Sequence, residues 1–170
     1  IGNAEYKTED ISLRNNLITF ADRGVDYLYQ VSLSPDFQSV VARLDARAQS
    51  IYSGHNITVS KNNIIRPDLI EILPPNTGLF VLGDDFGCLK NDGMKYVLRV
   101  CDIKTSEFTN SFFFELSYYM LLLKVWLNDT GLNCHFDVAY DAKIVPFDIV
   151  NNQVRKDKEW RMDYSLLRDK

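Results

Sequence analysis

The chain has 170 residues, 46% apolar and 25% charged, with a net charge of −4 and a pI of about 5.2. That length suits one domain and is short for two well-cored ones, and the composition is that of an ordinary globular protein. The acidic balance argues against a protein that coats itself with nucleic acid, but not against an enzyme that meets phosphates through a metal and a few local cations.

No run approaches the ~20 apolar residues of a membrane span. The longest apolar-rich stretch, 112–127, is interrupted by Glu115, Ser117 and Lys124. Three cysteines, Cys88, Cys101 and Cys134, lack CxxC spacing, which argues against a disulfide framework, a zinc knuckle or an iron–sulfur cluster. A reducing, intracellular setting, cytoplasmic or nuclear, is therefore expected, with no signal peptide and no membrane partner. A chain opening on Ile1 rather than Met reads either as trimmed or as a domain cut from something larger, whose further domains or subunits are then expected partners.

In chain order, the polar opening "IGNAEYKTED" reads as peripheral. The next stretch, "ISLRNNLITFADRGVDYLYQVSL", has apolar residues at helical spacing and reads as two short helices broken at Gly24. Together these form an expected N-terminal helical extension, residues 1–33. Residues 34–54 read as a clear helix: Ser34 caps it, Pro35 lies in its first turn, and Gly54 stops it. "HNITV" then reads as a short strand and "IIRPDLIEIL" as a second, with Pro67 marking a local loss of pairing. "PPNTG" breaks the chain, and "LFVLGDDFGCL" reads as an inserted excursion. "MKYVLRVCDIKTS" is the next long strand, "NSFFFELSYYMLLLKVWLND" a buried helix ending before Gly131, and "NCHFDVAYDAKIV" an alternating strand. The expected core, 34–142, is thus α/β: helix, three strands, helix, strand, giving a mixed central sheet flanked by helices. In the C-terminal tail, 143–170, "QVRKDKEWRMDYSLLRDK" reads as a final amphipathic helix.

The chemistry concentrates on the third strand. Asp102 and Lys104 are two apart and share a face. A surface ion pair would be worth only ~0–1 kcal/mol and explains nothing further. Upstream, Asp68 directly follows Pro67, and an antiparallel neighbour would bring it beside Asp102. Two converging carboxylates need a cation between them, and oxygen ligands suit Mg²⁺ or Mn²⁺.

Pro67-Asp68 followed by Asp102-Ile103-Lys104 resembles the PD-(D/E)xK nuclease superfamily, and the element order resembles its restriction-endonuclease-like core. "DIKTS" followed by a helix resembles the RecB-like branch, in which that helix carries Gln-x-x-x-Tyr; here Glu115 stands at the Gln position, with Tyr119 four residues on. The resemblance implies a nuclease acting on nucleic acid, DNA in preference to RNA, with Mg²⁺ or Mn²⁺ as cofactor. Asp68, Asp102 and the Ile103 carbonyl would hold the metal. Lys104 would position or help deprotonate the attacking water, and Glu115 would orient it or a metal water. His55 is a candidate ligand, read alternatively as a helix-end histidine. Asp85, in "GDD", is the alternative to Asp68, its other reading being a turn residue. His135 reads as structural, Asp45 as exposed on its helix, and Glu71 as facing away from Asp68. Arg155, Lys156, Lys158, Arg161 and Arg168 are candidate phosphate contacts interleaved with acids, which equally suits a solvated helix face. The rival implication is a nuclease-like fold without catalysis, serving as a nucleic-acid- or protein-binding module.

Overall fold

A computed structural model describes residues 3–6, 8–36, 64–105, 110–148, 150–154 and 160–163. Along the chain these form β1 (Ala4–Tyr6), α1 (Asp10–Asp22), β2 (Tyr27–Tyr29), β3 (Leu69–Leu73), β4 (Phe80–Leu82), β5 (Cys88–Lys90), β6 (Tyr96–Lys104) and α2 (Asn110–Thr130). A 3-10 turn (Leu132–Cys134) leads to β7 (Phe136–Val138), β8 (Asp141–Asp148), β9 (Gln153–Val154) and β10 (Trp160–Asp163). The expected helix over 34–54 and strand "HNITV" fall almost wholly outside the described residues, as do His55 and Asp45.

The fold is α/β with a mixed sheet in the order β1-β2-β3-β6-β8-β10; β7 also pairs with β6, and β9 with β8. β1 and β2 run parallel, while β3 runs antiparallel to both β2 and β6. β6 and β8 run parallel, joined by the crossover helix α2 as the sequence pattern implied. The inserted excursion is a separate β4–β5 hairpin.

Alternation fixes what each sheet face carries. Ile70, Ile72, Leu98, Val100 and Ile144 form one buried cluster with Leu13 and Leu17 of α1 and Leu116, Met120 and Trp126 of α2. Asp10, at the start of α1, ties the two helices: its carboxylate accepts the Trp126 indole N–H at 2.9 Å and the Ser34 backbone N–H at 2.7 Å. Opposite parity carries Glu71, Arg99 and Cys101. Arg99 is buried between Glu71 (3.2 Å) and Asp141 (3.1 Å), so its charge is paired on both sides. Glu71 therefore faces away from Asp68, as its parity predicted.

Several expectations change in three dimensions. After Gly24, whose φ of +76° suits a residue without Cβ, the chain forms strand β2 rather than a second helix. Val25 and Leu28 have helical spacing, but pairing to both β1 and β3 decides the state of Tyr27–Tyr29. Residues 1–33 consequently add two strands to the sheet as well as a helix. "IIRPDLIEIL" becomes a strand only at Leu69, with Ile65 making an isolated bridge to Leu33. The expected tail helix is replaced, where described, by β9 and β10, which extend from β8. A free edge on β8 is a tertiary fact that periodicity in the tail does not report. Among the described residues, no helix is long and apolar enough to cross a membrane.

Candidate active site

Pro67 sets the site by stopping a ladder. β3 and β6 pair from Leu73↔Val97 to Leu69↔Cys101. The next step in that register sets Asp68 opposite Asp102, and the one after sets Pro67 opposite Ile103. The Asp68 carbonyl accepts the Gln30 N–H at 2.9 Å, so the peptide groups of Asp68 are turned toward β2. Asp68 and Asp102 thus face each other as a non-hydrogen-bonded pair, the arrangement that brings opposite side chains closest. Pro67 has no N–H for the Ile103 carbonyl. The Ile103 N–H is satisfied instead by the Asp68 carboxylate, at 2.9 Å.

Asp102 is 3% exposed. Burial, and the neighbouring Asp68 carboxylate, push its carboxyl up to about 7 against the opposing pull of Lys104. The Lys104 ammonium lies 2.5 Å from Asp102 Oδ2. That contact is an ion pair without hydrogen-bond alignment, since Oδ2 is buried and meets no donor at a bonding angle. Glu115 Oε2 accepts from the same ammonium at 3.3 Å, and the Phe112 ring lies 4.4 Å below it. Burial alone would lower the Lys104 pKa, but Asp102 and Glu115 outweigh it and the net shift is upward. Lys104 is accordingly a fixed cation near neutral pH. Tyr119 closes the chain of contacts by donating its hydroxyl to Glu115 at 3.0 Å; burial and that carboxylate raise its pKa.

The fold brings together Asp68, Asp102, Ile103, Lys104, Glu115 and Tyr119. It separates Asp85 from them. Asp85 lies exposed in the β4–β5 turn and accepts the Gly87 N–H at 2.9 Å. That hairpin meets β7, which pairs with the Tyr96–Leu98 end of β6, whereas Asp102 lies toward the other end. Asp85 is a turn residue here. His135 is exposed beyond the 3-10 turn, its carbonyl accepting the Tyr96 N–H. Arg155, Lys156, Lys158 and Arg168 lie outside the described residues, and Arg161 has a described backbone only. Phe112 was missed as a site residue, hidden among three consecutive phenylalanines that read as core.

Among the described residues, no group of three or more His, Cys, Asp or Glu side chains is placed to hold a metal ion. The donor set is smaller: two carboxylates and a carbonyl that Pro67 leaves without its ladder partner. That set does not fit a four-ligand structural zinc. It fits Mg²⁺, which is commonly bound through one or two carboxylates and keeps several waters. Asp102 Oδ2 is buried without an aligned hydrogen bond, its charge met by the Lys104 ammonium.

Comparison of the chain with protein-family models, with curated proteins and with solved structures gave no match in any of the three.

Proposed function

We propose that the protein is a Mg²⁺- or Mn²⁺-dependent phosphodiester hydrolase acting on nucleic acid, with DNA as the favoured substrate, built on a core of the restriction-endonuclease-like type. The observation that carries this reading is the pairing of Asp68 with Asp102 where the β3–β6 ladder opens, with Lys104 on the same face. Asp68, Asp102 and the Ile103 carbonyl would hold the ion. When bound, a divalent ion supplies Lewis acidity toward a phosphate oxygen and makes a coordinated water more acidic. Lys104 places a lasting positive charge where the phosphorane develops negative charge. Its raised pKa favours that electrostatic and orienting role over proton abstraction. Glu115 holds the ammonium in place, and Tyr119 holds Glu115.

A second reading is a nuclease-like binding module without catalysis. It is favoured by Lys104 being held between two carboxylates, one of them Glu115 where the resemblance calls for a neutral Gln. Incubation of end-labelled single- and double-stranded DNA and RNA with the protein separates the two. Cleavage with Mg²⁺ or Mn²⁺ that stops on addition of EDTA supports the hydrolase. Binding without cleavage under every metal condition supports the module.

A further inference from the structure

A groove of about 450 Å³ opens beside Asp68, lined by Glu9, Gln30, Ser32, Arg66, Pro67 and Asp68 itself. Its size is within the ~300–1,000 Å³ usual for pockets that take small ligands or single groups of larger ones. Two features of its wall point to a phosphate. Arg66 is exposed and, among the described residues, enters no hydrogen bond, ion pair or ring contact, so all its guanidinium donors are free. Ser32 and Gln30 add a hydroxyl and an amide, both suited to non-bridging phosphate oxygens. Gln30 is also held at a φ of +49°, a left-handed conformation uncommon for a residue with a Cβ. Its N–H is committed to the Asp68 carbonyl, so this bend and the placement of Asp68 are one structural unit.

We propose that this groove receives the substrate strand next to the scissile bond, and that Arg66 is a positioning residue that grips one phosphodiester there. The inference rests on the hydrolase reading above. A planar fork of donors two residues before Asp68 would fix the register of the strand, leaving the adjacent phosphate over the Asp68–Asp102 pair. Glu9, on the same wall, works against the phosphate and limits affinity.

The test is oligonucleotide binding in EDTA, by fluorescence anisotropy over a range of salt concentrations, followed by single-turnover cleavage with Mg²⁺. Arg66→Gln should weaken binding and reduce the slope of log K against log salt by about 0.7–0.9, the value for one lost phosphate contact. Arg66→Lys should restore the slope, and Glu9→Gln should tighten binding. If wild type binds and cleaves but Arg66→Gln leaves the slope unchanged, the groove assignment fails and the hydrolase reading stands. If wild type neither binds nor cleaves any nucleic acid, both fail. If Arg66→Gln and Arg66→Lys lose binding equally with the slope unaltered, Arg66 is structural and the proposal is overturned.

Discussion

The Asp68 carboxylate accepts the backbone N–H of Ile103 at 2.9 Å, taking a bond that the β3–β6 ladder would otherwise make. A side chain has replaced a main chain as acceptor at the point where the β3–β6 pairing ends, next to Pro67. Three consequences follow from the same substitution. Asp68 is fixed rather than free to swing, it is fixed beside Asp102, and the Ile103 carbonyl is left without its usual donor. A strand-breaking proline thus creates the oxygen-rich gap that the proposed chemistry needs.

Asp102→Asn keeps the side-chain shape but removes a buried charge. Divalent-dependent cleavage should fall by ~100-fold or more. The metal-free protein should be more stable than wild type at pH 8, because the repulsion of two facing carboxylates is relieved. Thermal unfolding in EDTA and single-turnover assays read the two effects. A loss of the folded state in Asp102→Asn would mark the residue as structural.

The pH dependence of that stability has a defined sign. Asp102 titrates at about 7 when folded, against ~3.9 for an unfolded aspartate, so between these values the native state holds the extra proton. Its contribution is full below pH ~4 and is lost as pH rises through 7, with a slope of at most ~1.4 kcal/mol per pH unit. In EDTA, the stability difference between wild type and Asp102→Asn should therefore move against wild type from pH 4 to 8. Parallel profiles would show that Asp102 has no raised pKa.

Lys104→Arg preserves charge while changing length and geometry. Binding of DNA in EDTA should stay close to wild type, while the single-turnover rate should drop by ~100-fold. Lys104→Ala should cost at least as much. Equal cleavage by Lys104→Arg would reduce Lys104 to a generic cation and move the search for the site elsewhere.

Glu115→Gln places at this position the residue expected from the RecB-like pattern. It keeps a carbonyl acceptor for Lys104 and removes one of the two carboxylates holding the ammonium. Cleavage should be retained or increased in single-turnover assays. A loss as large as that of Asp102→Asn would make the Glu115 carboxylate itself part of the cation site.

Asp85→Asn tests the alternative first carboxylate. Its bond to the Gly87 N–H is a local turn contact that the asparagine carbonyl can still accept, so the change should leave cleavage within about twofold and stability close to wild type. Abolished cleavage with an unchanged melting temperature would reinstate Asp85 over Asp68.

The sequence by itself determined the elements with strong periodicity and the residues sharing a strand face. The long strand now seen as Tyr96–Lys104, the helix ending before Gly131 and the parallel crossover between β6 and β8 follow from apolar runs, capping and connection length. Strand parity placed Asp102 with Lys104 and turned Glu71 away, because alternation is a local property of extended backbone. Only the tertiary structure decided the short strands. Tyr27–Tyr29 and Trp160–Asp163 are too brief to show a period of their own, and they are strands because a neighbouring edge supplies their hydrogen bonds. Which of Asp68 and Asp85 lies across from Asp102 belonged to it as well. Both follow plausible local motifs, but only the β3–β6 register sets one of them across from Asp102, and registers between strands distant in sequence are fixed by packing rather than local pattern.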